Sequence, residues 1–427
     1  MDRSREQESK IAARPTLAAW LAEYDAIERE YIASIEATGA RFAERGAHAE
    51  ENARLRDRLR DQGAVFLHGG SSIHHGFFSS ACAACVGDAG SRTFFISLRC
   101  NRDCYFCFNP NQADYDQWLH AKTPWRDDLR AFAAEQDVTH VALTGGEPLL
   151  YPDDAVGFFE EARRLAPGVH ARLYTTGVGL DDALATRLAD AGLTEIRFSA
   201  KLDEGEASVA ETLAAIEVAR AHIPHVMVEM PVVPGEEDRM ARLLRELDER
   251  GVDGINLLEM CYPLHNWDEF ARRGLLLKNP PFEALYDYGY AGALAVDGSE
   301  EACLALMADA IDEGLRLGFH YCSLENKNRD EILRANRAVA LDDRLYELGD
   351  DCFYHVAKVF DGDADTARAI LRQLGAPCAY DDTDGSVSFH PRWARPVANA
   401  GALVATSTLV VEGEGENATL RELALKL

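Results

Sequence analysis

The sequence predicts an α/β fold, a partial (β/α)6-type parallel barrel with N-terminal helices and a small C-terminal region. Short apolar segments recur along the middle of the chain, and amphipathic helical segments separate most of them. Strands and helices that alternate in this way form a parallel sheet with helices on its outside. With 427 residues, 47% of them hydrophobic, the chain can bury a large core. The strand-like segments are TFFISL (93–98), VTHVAL (138–143), ARLYTT (171–176), TEIRFS (194–199), HVMVEMPV (225–232) and GINLLEM (254–260).

The regions on either side of this alternation differ from it in composition. Residues 1–66 are rich in Ala, Glu and Arg, with apolar residues near helical spacing, which predicts an N-terminal helical region. Residues 67–92 are rich in Gly, Ser, His and Cys, which indicates a loop. The barrel is predicted over 93–325, and residues 326–427, where the alternation fails, are predicted to form a C-terminal α+β region.

The overall charge restricts the partners. A formal net charge of −28 argues against nucleic acid and anionic membranes as partners, because clustered Lys and Arg bind both. The same charge suits a neutral or cationic substrate, although a solvated acidic surface is the simpler interpretation. No apolar run approaches the roughly 20 residues of a membrane helix, and the polar opening MDRSREQESK does not resemble a signal peptide. We therefore expect a cytoplasmic protein, whose ten cysteines serve metal ligation or catalysis rather than disulfides.

Three cysteines stand close together in RCNRDCYFCFNP, directly after the first predicted strand. Cys100, Cys104 and Cys107 have the spacing C-x3-C-x2-C, which lets a short loop wrap around a compact centre. Structural zinc and conventional iron–sulfur clusters usually take four protein ligands. Three cysteines on a cubane would leave one iron free for an outside molecule. The alternative is a zinc site completed by a distant cysteine or histidine.

A second motif, LTGGEPLL, follows the second predicted strand. Its two glycines, Gly145 and Gly146, let the backbone pass close to a ligand, and the carboxylate of Glu147 can accept hydrogen bonds from an ammonium group. Because it comes one strand after the cysteines, it should lie at the same edge of the sheet, where barrels of this kind place their sites.

Together these motifs resemble the radical S-adenosylmethionine superfamily: C-x3-C-x-(aromatic)-C, with Phe106 as the aromatic residue, followed one strand later by Gly-Gly-Glu. The resemblance implies that the three cysteines hold a 4Fe–4S cluster whose fourth iron binds the amino and carboxylate groups of S-adenosylmethionine. It implies that the Gly-Gly-Glu motif holds the methionine amino group. It also implies reductive cleavage to a 5′-deoxyadenosyl radical, which abstracts hydrogen from a substrate, and a low-potential electron donor, flavodoxin or ferredoxin.

Weaker matches follow the third and fourth predicted strands. Thr175–Gly177 reads Thr-Thr-Gly where members of the superfamily often have Thr-Asn-Gly, so Thr176 departs from the pattern. Ser199 and Lys201 occupy a position that in the family contacts the ribose or carboxylate of S-adenosylmethionine, although Lys201 equally suits a solvated surface. The cofactor-binding residues implied by the resemblance are Phe106, Gly145, Gly146, Glu147, Thr175, Ser199 and Lys201.

Two glutamates lie within apolar strand segments, Glu229 in the fifth and Glu259 in the sixth. A charge in an apolar strand is costly unless it is paired or faces a polar cavity. Each is therefore expected to line the lumen of the barrel or to pair with a buried Arg.

The remaining cysteines suggest an auxiliary site. Cys82 and Cys85 form C-x2-C, which is half a metal site, and Cys261 and Cys322 follow later strand-like segments. These four are candidate ligands of a second iron–sulfur cluster or a single metal ion. The alternative is that the scattered cysteines are buried apolar thiols.

The sequence favours a radical enzyme that acts on a peptide or protein side chain, with no catalytic residue assigned. Alternatives are a small-molecule enzyme in cofactor or natural-product biosynthesis and, less favoured because of the long flanking regions, a glycyl-radical-enzyme activase. The contrasting class is a non-catalytic, zinc-stabilised α/β scaffold. Iron and sulfide content would discriminate between the enzyme and the scaffold.

Overall fold

A computed structural model describes residues 5–263, 265–288, 293–413 and 415–427. The described residues form two compact units. The larger comprises the described parts of Ala47–Lys278 and Tyr290–Lys327, and the smaller those of Met1–Gly46, Asn279–Gly289 and Asn328–Leu427.

A nine-stranded sheet forms the centre of the larger unit. Its strand order is β1-β2-β11-β8-β7-β6-β5-β4-β3, and the strands from β3 to β8 and β11 run parallel. Within the described residues the edge strands β1 and β3 do not pair, so the predicted partial barrel is confirmed as an open one. The bounds are β1 Val65–Leu67, β2 Ser72–His75, β3 Ser91–Phe95, β4 His140–Thr144, β5 His170–Thr175, β6 Glu195–Phe198, β7 His225–Val232, β8 Gly254–Glu259, β9 Cys261–Tyr262, β10 Leu294–Ala295 and β11 Gly318–Cys322.

The helices of this unit cover the parallel strands. They follow their strands as predicted. Leu143 on β4, Leu173 on β5 and Ile196 on β6 are fully buried, as expected for strands covered on both faces. The bounds are α3 Ala49–Asp61, α4 Ser80–Ala83, α5 Tyr115–His120, α6 Trp125–Glu135, α7 Pro152–Leu165, α8 Asp182–Ala191, α9 Glu206–His222, α10 Glu237–Glu249, α11 Trp267–Arg272, α12 Ser299–Asp312 and α13 Leu324–Arg337, which continues into the smaller unit.

The segment 67–92, predicted as a loop, contributes to the central sheet. Strand β2 pairs antiparallel with β11, matching His74 with His320 and Ser72 with Cys322. This pairing joins residues almost 250 positions apart, and local composition carries no signal for such a contact. Helix α4 lies in the same segment and is capped by the Ser79 hydroxyl, which accepts from the backbone N–H of Ala81.

The smaller unit contains a second, antiparallel sheet, with the strand order β14-β15-β13-β16-β17. Helix α2 buries Leu17 and Leu21 against Phe360 and Leu425. Leu59 of α3 instead belongs to the core of the larger unit, so the N-terminal helices divide between the two units. The bounds are α1 Arg5–Ala12, α2 Pro15–Glu36, α14 Asp363–Leu374, α15 Ala394–Asn399, β12 Glu347–Leu348, β13 Tyr354–Val359, β14 Ala379–Tyr380, β15 Val387–Phe389, β16 Ala405–Glu412 and β17 Thr419–Lys426. Among the described helices, none is both long and apolar enough to cross a membrane.

A buried ion cluster holds the end of β8 in the larger unit. Glu259 was expected to line the lumen or pair with Arg, and it pairs instead with Lys278, whose Nζ lies 2.9 Å from Oε1 of Glu259 and 2.6 Å from Oε2 of Glu300. Arg56 of α3 donates to Oε1 of Glu300 at 2.7 Å. Two cations thus compensate two carboxylates that would be costly to bury alone.

Candidate active site

A cavity of about 570 Å³ opens at the carboxyl ends of the parallel strands. This is the edge where barrels of this type place their sites, because loops from several strands meet there. The cavity is lined by all the residues that the sequence assigned to the first cluster and its cofactor: Cys100, Cys104, Phe106, Cys107, Gly145, Gly146, Glu147, Thr175, Ser199 and Lys201.

The three cysteines lie on the loop after β3. Cys100 is exposed, whereas Cys104 and Cys107 are partly buried. Burial raises the pKa of all three thiols, and the nearby ammonium of Lys201 counteracts this at each of them. Metal ligation requires the thiolate, so binding at this loop would release protons.

The donor set suits a cluster with several metal atoms. Among the described residues, no group of three or more His, Cys, Asp or Glu side chains is arranged to hold a single metal ion. A four-iron cluster is held by Cys thiolates, and thiolates that bind separate irons do not have to converge on one point. Three thiols around a shared cavity therefore fit such a cluster, and ligation by Cys100, Cys104 and Cys107 remains a prediction.

The two glycines permit a close approach between the loops after β3 and β4. A Cβ on Gly146 would lie 2.0 Å from the carbonyl oxygen of Arg99, and one on Gly145, whose φ is +107°, would lie 2.5 Å from Cβ of Phe95. The backbone N–H of Gly146 donates to the carbonyl of Ser97 at 3.0 Å. The sequence predicted that these glycines allow close contact with a ligand, whereas their nearest neighbours in the structure belong to the cysteine loop and its strand.

The carboxylate of Glu147 is buried and holds the turn that follows β4. Its Oε1 accepts from the Thr175 hydroxyl at 2.7 Å and from the N–H of Leu149 at 2.9 Å. Its Oε2 accepts from the N–H and the hydroxyl of Thr176, at 2.6 and 2.8 Å. A carboxylate has about four lone-pair sites, so these four donors fill it. The predicted contact with an ammonium group would require one of these bonds to exchange.

Lys201 and its neighbours form another part of the cavity wall. Lys201 is 7% exposed, so it is not a solvated surface lysine. Its Nζ donates to Oγ of Ser199 at 2.8 Å and lies 5.2 Å from the centre of the Phe106 ring. This brings Phe106, Ser199 and Lys201 together beside Cys104, as the resemblance implied, and their contact with a cofactor remains a prediction.

Sequence analysis assigned no cofactor role to three side chains that β5, β6 and β7 contribute to the cavity. Tyr174, Arg197 and Glu229 line the cavity there. The Arg197 guanidinium donates to Oε2 of Glu229 at 2.6 Å, which satisfies the expectation that Glu229 lines the lumen or pairs with Arg. The signal for Arg197 was available, because a charged residue also interrupts the apolar segment TEIRFS.

The four candidate auxiliary cysteines lie in two connected places. The thiol of Cys82 accepts from Arg197 and from Nδ2 of Asn256, each at 3.3 Å. Burial raises the pKa of Cys322 to about 12, and Lys327 opposes this while the thiols of Cys85 and Cys82 add to it, so Cys82, Cys85 and Cys322 share one neighbourhood. Cys261 lies 3.8 Å from Nζ of Lys327. The described residues show no completed single-metal site here, and the auxiliary site remains a prediction.

The family model described as the radical SAM superfamily matches residues 94–247, from β3 through most of α10. The match identifies this segment as a radical SAM domain. The members of that superfamily are enzymes, and a 4Fe–4S cluster and S-adenosylmethionine are their cofactors. The residues around the cavity fit both groups, since the three thiols and the Gly-Gly-Glu turn face the same space. The matched segment contains the cysteine loop, Gly-Gly-Glu, Ser199 and Lys201.

Two curated relatives are similar in sequence to part of this chain. A putative glycyl-radical enzyme activating enzyme from Methanocaldococcus jannaschii is 26% identical over 269 residues, covering 60% of this chain and 66% of the relative. A PqqA peptide cyclase from Streptomyces rochei is 29% identical over 204 residues, covering 45% of this chain and 53% of the relative. The chain thus spans less than two thirds of the length of either.

Solved structures of radical SAM proteins resemble parts of the fold. The coproporphyrinogen III oxidase HemN from Escherichia coli superposes with a TM-score of 0.35 and 13% identity, covering 56% of this chain and 57% of HemN. SuiB from Streptococcus suis, bound to its precursor peptide SuiA, superposes with a TM-score of 0.33 and 14% identity, covering 52% of this chain and 49% of SuiB. These TM-scores are below 0.5 and describe a partial likeness only.

Proposed function

We propose that this chain is a radical SAM enzyme that abstracts hydrogen from a peptide or protein side chain. The observation that carries the proposal is that the three cysteines, the Gly-Gly-Glu turn and Lys201 all line one cavity. When bound, the cluster and S-adenosylmethionine together supply one-electron reductive cleavage and hydrogen-atom abstraction. A low-potential donor such as flavodoxin or ferredoxin provides the electron, and the reducing cytoplasm suits such a donor.

The protein's own residues position these groups. The loop after β3 presents Cys100, Cys104 and Cys107 as ligands, and the backbone contacts of Gly146 hold this loop against the next. Lys201 places a cation beside the thiols, which favours their ionised, metal-binding form. Glu147 fixes the turn against the end of β5 through Thr175 and Thr176.

The names of the two curated relatives support a polypeptide substrate. One is named as a peptide cyclase and the other as an activating enzyme for another enzyme, so both names describe action on a polypeptide chain. The activating-enzyme name belongs to the glycyl-radical-enzyme activase class, which the sequence analysis disfavoured because of the long flanking regions. Both activities fall within peptide or protein modification, and that class is the level at which we state the proposal.

The chemistry can be tested by anaerobic reconstitution, followed by iron and sulfide analysis and an assay for 5′-deoxyadenosine with dithionite as reductant. We expect the wild-type enzyme to form 5′-deoxyadenosine and Cys104→Ala to form none while losing about four irons. Cys378→Ala is the matched control, because this exposed cysteine lies outside the cavity. Retained cleavage in Cys104→Ala, or zinc without iron in the wild type, would overturn the assignment of the cluster.

The substrate class can be tested with a perdeuterated extract of the source organism, divided by ultrafiltration into polypeptide and small-molecule fractions. We expect deuterium to appear in 5′-deoxyadenosine when the polypeptide fraction is supplied. Deuterium transfer from the small-molecule fraction alone would replace the polypeptide substrate by a small molecule and leave the radical chemistry intact.

A further inference from the structure

The cavity has a second wall that the cofactor motifs do not account for. Strands β7 and β8 contribute Met230, Pro231 and Leu258 to it, all apolar, and Glu229 is the carboxylate set among them. An anion in such surroundings is costly unless it has a partner. The binding partners of its two carboxylate oxygens therefore matter.

Among the described residues, hydrogen-bond donors reach only one of the two carboxylate oxygens of Glu229. Oε2 accepts from Arg197 and from Nδ2 of Asn256, each at 2.6 Å. No described residue donates to Oε1, although the side chain is only 20% exposed. Burial opposes ionisation, but Arg197 and Asn256 outweigh it and hold the pKa of Glu229 below its ordinary value.

Arg197 does not cancel the charge of Glu229 alone. Its Nε donates to Oε1 of Glu195, a residue with no exposed surface, and another donor reaches Cys82 at 3.3 Å. One guanidinium therefore serves two carboxylates. The other buried arginine nearby, Arg172, also helps to lower the pKa of Glu229 through its charge, but its described hydrogen bond is with the carbonyl of Ala81, at 3.4 Å, and it forms no ion pair with a described residue.

We propose that Glu229 is a substrate-binding residue that holds a primary ammonium group, such as a lysine side chain or an amino terminus, against this wall of the cavity. The inference rests on the proposed function, because it names the chemistry of the substrate at the same site. An ammonium group supplies donors for Oε1, and charge-assisted hydrogen bonds of this kind are the stronger ones. Met230, Pro231 and Leu258 suit the methylenes of an alkyl stem. The acidic chain as a whole also attracts cations.

The test measures binding by the reconstituted holoenzyme, with n-butylammonium as the probe and n-butanol and butyrate as the neutral and anionic comparisons. Saturation-transfer NMR titrations give the affinities. We expect the wild type to prefer n-butylammonium over both comparisons, and Glu229→Gln to weaken its binding about tenfold or more. Asp103→Asn, which removes an exposed carboxylate at the same cavity, should leave the affinity unchanged.

Two further measurements separate this inference from the proposed function. Formation of 5′-deoxyadenosine by the wild type without substrate reports on the proposed function, and the binding of n-butylammonium reports on the role of Glu229. A wild type that makes no 5′-deoxyadenosine would overturn the proposed function, whatever the result with n-butylammonium. Equal binding of the three probes by the wild type, or unchanged n-butylammonium binding by a folded Glu229→Gln variant, would overturn the role of Glu229. The wild-type comparison needs no variant, so equal binding of the three probes overturns the role of Glu229 even if Glu229→Gln does not fold.

Discussion

The hydroxyl of Thr175 donates a 2.7 Å hydrogen bond to Oε1 of Glu147, joining the end of β5 to the turn that follows β4. Both side chains are buried. The same hydroxyl accepts from the backbone N–H of Gly177 at 2.9 Å. Together with the hydrogen bond from Gly146 N–H to the Ser97 carbonyl, these bonds join the three strand ends that carry the cysteines, Gly-Gly-Glu and Thr-Thr-Gly.

Replacing Thr175 by Val should destabilise the protein by about 1–3 kcal/mol, because the buried carboxylate of Glu147 loses a donor and keeps its desolvation penalty. Urea unfolding measures the change. Thr186→Val is the matched control, since its hydroxyl lies on an exposed helix surface, where it donates to the Asp182 carbonyl and lies 3.3 Å from Nδ1 of His222. We expect a change within about 0.5 kcal/mol there. Equal losses in the two variants would show that the buried bond contributes nothing special.

Gly146→Ala should disrupt the site, because the new Cβ would meet the Arg99 carbonyl oxygen at 2.0 Å. Overpacking of this kind typically costs about 1–3 kcal/mol, and the forced separation of the two loops should also lower iron uptake on reconstitution. Gly362→Ala is the control, because its Cβ would meet nothing within 4 Å and its φ is −61°. A Gly146→Ala protein with wild-type stability and iron content would contradict the close approach.

Glu300 should make stability depend on pH. Burial opposes its ionisation, but Lys278 and Arg56 outweigh it and lower its pKa from 4.5 to about 2. Below pH 4.5 the unfolded chain takes up a proton before the folded one does. The stabilisation is thus present above pH 4.5 and is lost as the pH falls toward 2.

Glu300→Gln tests this directly. At pH 7 the variant should be less stable by about 1–3 kcal/mol, because two partly buried cations lose a carboxylate, and the gap should narrow as the pH falls below 4.5. Urea unfolding at several pH values measures it. Glu313→Gln, which breaks an exposed pair with Arg245, should change stability little at any pH. A gap that is constant with pH would refute the pKa shift.

The predicted auxiliary site implies two clusters. Cys100, Cys104 and Cys107 would hold the first, and the four auxiliary cysteines, Cys82, Cys85, Cys261 and Cys322, the second. Wild-type protein should contain about eight irons per chain, and Cys82→Ser or Cys322→Ser should lower this to about four without abolishing 5′-deoxyadenosine formation. Cys104→Ser should remove the irons of the first cluster and abolish the cleavage of S-adenosylmethionine. About four irons in the wild type, unchanged in Cys82→Ser, would leave Cys82 as a hydrogen-bonding partner of Arg197 and no more.

Local patterns in the sequence located much of this molecule. Strand β7 was predicted with its observed bounds, His225–Val232, because eight largely apolar residues separate two helical segments. The cysteines and Gly-Gly-Glu were found because chain order alone places them after neighbouring parallel strands. The pairing of β2 with β11 was missed, and so was the full network around Arg197, because both depend on residues distant in sequence. No local pattern could show that, among the described residues, none donates a hydrogen bond to Oε1 of Glu229.

Two main-chain hydrogen bonds join the cysteine loop to the Gly-Gly-Glu turn, from Gly146 N–H to the Ser97 carbonyl and from Glu147 N–H to the Arg99 carbonyl. The Asn109 side chain adds a third, to the Gly145 carbonyl at 2.7 Å. Main-chain contacts do not depend on which side chain is attached. The exposed Arg99 side chain can therefore be replaced by most residue types during evolution. Gly146, which contacts the Arg99 backbone, cannot be replaced even by alanine. A saturation library over these two codons should be broadly permissive at the first and close to invariant at the second, although the two residues are in direct contact.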